Sequence, residues 1–222
     1  MDFPNDMFSG PWLAFSFGIF AVLLLGALVT APWHKVRGDN EALHVYLATC
    51  VFTLMLWAIK AGITPGLNFH LLGVTTLTLM FGWQFAFLAV CLVLVGITLN
   101  GGAGWEAFAF NALVMGAVPI AVTQILLYLA QTRLPHNFFI YIFINAFLGA
   151  GLAGVVMGSV AASLMVAGDV HSLSRISYEF LPFFPLLFFS EALFNGMMMT
   201  LLVGLRPQWV ASFDDETYIK GK

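Results

Sequence analysis

Apolar residues fill this chain in long runs, and short links bearing polar residues, glycine or proline separate the runs. A helix that crosses ~30 Å of hydrocarbon needs ~20 mainly apolar residues. On that measure the pattern predicts seven helices, at about Gly10 to Trp33, His44 to Gly62, Leu67 to Phe81, Gln84 to Leu99, Ala107 to Gln131, Phe138 to Ala167 and Phe180 to Leu205. The third is short, follows Thr64-Pro65-Gly66 and is separated from the fourth by Gly82-Trp83 alone. A short span lies in the interior of the bundle or dips toward its outer face, shielded by longer helices. The sixth carries Gly149, Gly151, Gly154 and Gly158, a small-residue surface suited to close helix packing within the bundle rather than to a homodimer seam.

Composition agrees with the pattern. The hydrophobic residues make up 61% of the chain and the charged ones 9%, and mean hydropathy is +0.95; soluble domains carry about 25% charged residues. The expected fold is therefore an all-α polytopic membrane protein, residues 1–222 forming one transmembrane domain, with an outer peptide at 1–9 and a cytoplasmic tail at 206–222. Met1 to Ser9 holds Asp2 and Asp6 but no basic residue, so the first span does not read as a cleaved signal peptide. Placing the N-terminus outside puts Lys35, Arg37, Arg133, Arg206, Lys220 and Lys222 in the cytoplasm and leaves Lys60 and Arg175 outside. That asymmetry favours an N-out, C-in orientation.

Little of the sequence suggests chemistry. No phosphate-binding glycine loop, HExxH or GxSxG motif is present, so an enzyme, or an ATPase within this chain, is not expected. No basic tract invites nucleic acid. Cys50 and Cys91 lie in apolar runs as small hydrophobes, and His34, His44, His136 and His171 lack ligand spacing. Met197, Met198 and Met199 point ~100° apart around a helix and cannot share one face, which argues against a thioether path for Cu(I).

Two ionisable residues at membrane depth remain, and each costs enough there to need a partner, a cavity or a solute. His70 lies in Gly66-Leu-Asn-Phe-His70-Leu-Leu-Gly73, where it either caps or hydrogen-bonds locally, or acts in function. Glu191 lies midway along the last span among Phe188, Phe189, Leu193 and Phe194. Asn111, Asn145 or Gln124 on other spans are its expected partners, and Asn111, Asn145 and Glu191 form a candidate buried polar network.

Three separated segments resemble one family. Met1-Asp2-Phe3-Pro4-Asn5-Asp6-Met7-Phe8-Ser9 is similar to an opening Met-His-Ile-Pro-Asp-Gly-Phe-Leu-Ser, and Phe69-His70-Leu71-Leu72-Gly73 to Val-His-Leu-Leu-Gly. Glu191-Ala192-Leu193-Phe194-Asn195-Gly196 with Arg206-Pro207 resembles a last helix with Glu-Gly-x-x-Thr-Gly closing on Arg-Pro. Asn111-Ala-Leu-Val-Met115-Gly116 is a weaker echo of Asn-x-x-Asn-Met-Gly. The family is that of the substrate-binding membrane components of energy-coupling-factor cobalt and nickel importers, the CbiM/NikM type. The resemblance implies a divalent transition metal, cobalt or nickel, as substrate, and a bacterial inner-membrane location among lipid. It also implies two partners in trans, a coupling transmembrane protein and ATPase subunits.

In that family the metal sits in a planar nitrogen-rich field. Its donors are the N-terminal amine, the backbone nitrogen and imidazole of the second residue, and the histidine of the His-Leu-Leu-Gly run. The resemblance thus implies Met1, Asp2 and His70 as metal residues here, with Asp2 offering a carboxylate where the family has an imidazole. Oxygen is the harder donor and shifts selectivity away from a pure nitrogen set. The alternative reading is a non-transporting accessory or assembly subunit of another membrane complex that retains the fold.

Overall fold

The computed structural model describes residues 3–62 and 68–220. Its helices are α1 (Gly10–Thr30), α2 (Asn40–Ala58), α3 (Val74–Leu99), α4 (Phe108–Arg133), α5 (Phe138–Ala167) and α6 (Phe184–Leu205). Helix α6 is preceded by a short helix, Leu173–Glu179. The fold is all-α and polytopic, with apolar side chains such as Phe15, Val22, Val29 and Leu186 turned outward, as a surface facing hydrocarbon requires.

Helix α3 is two antiparallel arms joined at Gly82, where φ is 77° and ψ is 168°. That backbone region is open to glycine alone. The reversal shows in which neighbours each end meets. The indole of Trp57, in the last turn of α2, donates to the Leu72 carbonyl at 2.9 Å, and Lys60 donates to the Gly102 carbonyl at 3.0 Å. Both ends of α3 therefore lie beside the C-terminal end of α2. Its middle lies at the opposite face, where Gln84 donates to the Thr30 carbonyl and the Met80 carbonyl accepts from Ala211 N–H. The chain thus crosses the bundle seven times among the described residues, placing Phe3 and the tail on opposite faces.

The first arm, 74–81, begins later than the Leu67 start the apolar run predicts; Leu67 itself lies outside the described residues. Residues 68–73 are non-helical instead, ending in a left-handed Gly73, and Ala61 and Phe69 pair as an isolated antiparallel bridge. Eight helical residues rise only about 12 Å, so the non-helical segment completes the crossing. Such a break is tolerated at membrane depth only where protein encloses it. Every residue from Leu72 to Met80 is buried, which places this arm at the centre of the bundle.

Gly151 and Gly154 of α5 pack against α6. A Cβ on Gly154 would come within 2.6 Å of the Phe188 ring, and one on Gly151 within 3.3 Å of the Ala192 Cβ. The small-residue stripe is therefore an internal seam. At the opposite face the tail folds back, with Ala211 and Ser212 N–H groups donating to the Met80 and Leu79 carbonyls. These bonds satisfy orphan carbonyls at the end of the first arm.

Candidate metal centre

His70 sits on the face that carries the N-terminal segment, partly buried in the non-helical stretch ahead of the first arm. Contacts on both sides fix its backbone. Before it, Phe69 exchanges backbone bonds with Ala61 and stacks on Phe180 at 5.1 Å between ring centroids. After it, the Leu72 carbonyl is held by Trp57, whose ring also lies 5.1 Å from the imidazole. The His70 Nδ1 lies 3.3 Å from the Leu71 carbonyl oxygen. With Nδ1 as the protonated nitrogen of that contact, Nε2 carries the ring's lone pair.

The N-terminal segment is anchored on the same face. Phe3 N–H donates to Asn111 Oδ1 at 2.8 Å, and Asn111 Nδ2 donates to the Phe3 carbonyl at 3.0 Å. The carboxamide thus imitates one rung of a β-ladder. Phe3, Phe8 and Phe110 form a compact ring cluster with centroids 4.3 to 5.6 Å apart. Asn5 Oδ1 accepts from Glu106 N–H, and Asn5 fills the space that a side chain at Gly104 would need. Residues 3–5 are therefore laid against the start of α4. Met1 and Asp2, the other two expected metal residues, lie outside the described residues. Among the described residues no group of three His, Cys, Asp or Glu side chains converges as a metal site.

Glu191 does not join Asn111 and Asn145. Its carboxylate accepts from Leu72 N–H at 2.8 Å, Gly73 N–H at 2.9 Å and Asn195 Nδ2 at 2.8 Å. Asn195 Oδ1 in turn accepts from the backbone N–H and the hydroxyl of Thr76. Together Glu191 and Asn195 cap the first arm, whose orphan N–H groups and positive dipole end favour an anion. Asn111 is committed to Phe3, and the buried Asn145 Oδ1 has no hydrogen-bond partner among the described residues. Sequence reasoning missed Asn195 and Trp57. The i, i+4 spacing of Glu191 and Asn195 placed both on one face of α6 and was the available signal. Backbone amides leave no such trace.

Residues 2–209 match the family described as the cobalt uptake substrate-specific transmembrane region. The chain belongs to that family of metal-uptake membrane components. Two solved structures share the fold. One, titled a truncated transition metal transporter, aligns with a TM-score of 0.70 at 18% identity over 92% of this chain and 99% of its own. The other, titled a transition metal transporter, gives 0.69 at 18% identity over 92% and 93%. No curated protein matches the chain.

Proposed function

We propose that this protein is the substrate-binding membrane component of an energy-coupling-factor importer for a divalent transition metal, of the cobalt and nickel kind. The observation that carries the reading is the placement of His70 and of the anchored N-terminal segment on one face of the bundle. In this reading Met1 contributes its amine, Asp2 its backbone nitrogen and carboxylate, and His70 its imidazole, and the ion is the cargo. Amine, amide and imidazole nitrogens suit Ni(II), Cu(II) and neighbouring ions, and the carboxylate adds one harder donor.

The whole chain acts as one transmembrane unit in a bacterial inner membrane, with the N-terminal face outside, as the basic residues favour. It has no ATP-hydrolysing machinery of its own. A coupling membrane protein and ATPase subunits supply the energy in trans, and the basic C-terminal face is the side from which they act.

Metal analysis of protein purified with a free N-terminus tests the reading. The expected result is close to one first-row divalent ion per chain, lost when an N-terminal tag blocks the amine. A protein that takes up no first-row divalent ion in either form would favour the accessory-subunit alternative, which the carboxylate at position 2 keeps in play.

A further inference from the structure

A carboxylate two turns into α6 accepts hydrogen bonds from a loop more than a hundred residues away. Glu191 is 4% exposed, sits among apolar rings and still faces three donors, two of them the backbone N–H groups of Leu72 and Gly73. His70 lies two residues ahead of the first of those amides, and His70 and Glu191 line the same cavity of about 20 Å³, room for about one water. Gly73 adopts φ 65°, a left-handed conformation, and its own N–H and that of Leu72 both reach α6. Beside these bonds the Leu72 carbonyl is held by Trp57, and the next amide contact along the chain is Thr76 to Asn195.

We propose that Glu191, braced by Asn195, is a positioning residue for the metal-ligating imidazole of His70. The proposal rests on the reading of His70 as a ligand. The carboxylate contributes two acceptor oxygens to one short turn and so sets where residues 72 and 73 lie. The turn in turn sets the direction in which the chain presents His70. An amide is no substitute: Glu191→Gln keeps one acceptor but turns an NH₂ group toward N–H donors, and the turn must shift to relieve that meeting. Ligand orientation by surrounding hydrogen bonds is worth 10- to 100-fold in metal affinity as a rough guide. Asn195 has the bracing role because its Nδ2 holds Glu191 Oε1 while its Oδ1 holds Thr76.

The test uses full-length protein with a free N-terminus, Ni(II) for affinity and Cu(II) as a spectroscopic probe of the donor set. Glu191→Gln should weaken Ni(II) binding about 10-fold or more and shift the Cu(II) absorption and nitrogen hyperfine pattern toward fewer nitrogen donors. Tyr141→Phe removes a partly buried 2.6 Å bond to Ser212 at the far face and serves as a control for lost stability. It should change neither readout. Should Glu191→Gln not fold, Asn195→Asp makes the same test, because it keeps the acceptor for Thr76 and loses the donor to Glu191. A wild type that binds and a folded Glu191→Gln with unchanged affinity and spectrum would overturn the positioning role alone. A variant that merely lowers the amount of loaded protein, spectrum unchanged, would also overturn it. A wild type that binds neither ion would overturn the His70 reading and this inference with it.

Discussion

Phe3 and Asn111 are joined in both directions, Phe3 N–H donating to the carboxamide oxygen at 2.8 Å and the carboxamide nitrogen donating to the Phe3 carbonyl at 3.0 Å. Both residues are fully buried, so neither backbone group has water as an alternative. Asn111 is therefore the fixed point that holds residue 3 in the bundle. Replacing it by alanine leaves a buried donor and a buried acceptor unpaired, a cost of about 1 to 3 kcal/mol for each such group. Asn111→Ala should raise amide hydrogen exchange in the segment from Phe3 to Phe8 well above wild type. Unchanged exchange there would show that the ring cluster alone holds the segment.

The hairpin in α3 depends on one backbone conformation. Gly82 at φ 77° and ψ 168° occupies a region that costs a side-chain-bearing residue about 1 to 3 kcal/mol. Gly82→Ala should lower the melting temperature in detergent, whereas Gly18→Ala, on a helix surface with open space around it, should not. The two variants melting together would mean that the reversal is not under that constraint.

An odd number of crossings sets the two ends of the protein apart. Reporter fusions in cells should place Phe3 outside and the stretch from Phe213 onward in the cytoplasm, as six basic residues against two predict. A cytoplasmic reporter signal from the N-terminal fusion would put His70 on the wrong side for capture.

Much of this architecture was legible in the sequence because hydrophobic run length is a local property. The seven stretches, the interior position of the short third one and the internal role of the glycine seam all follow from residue types near one another. The start of the third helix was not legible. Leu72 and Gly73 read as helix by hydropathy, but their amides go to a carboxylate 119 and 118 positions away, and Phe69 just ahead of them pairs with Ala61. Long-range bonds overrode local preference. For the same reason Glu191 was visible as costly while its partners were not: the sequence shows Asn111, Asn145 and Gln124 as polar side chains in apolar runs, but it does not show a pair of backbone N–H groups left free by a helix start. His70 was legible as an ionisable residue at depth, and its clamps, Trp57 and the Phe69–Phe180 stack, were not.

The central claim is that His70 ligates a divalent transition metal together with the N-terminal residues. Isothermal titration of Ni(II) and Co(II) into untagged wild type and His70→Ala tests it most directly, with Asp2→His as the variant that restores a second imidazole. The account predicts saturable wild-type binding that weakens on acidification, as protons compete for the imidazole nitrogen. It also predicts loss of binding in His70→Ala and a gain for Ni(II) in Asp2→His. A wild type that releases no heat of binding, or a His70→Ala trace superimposable on a binding wild type, would contradict it.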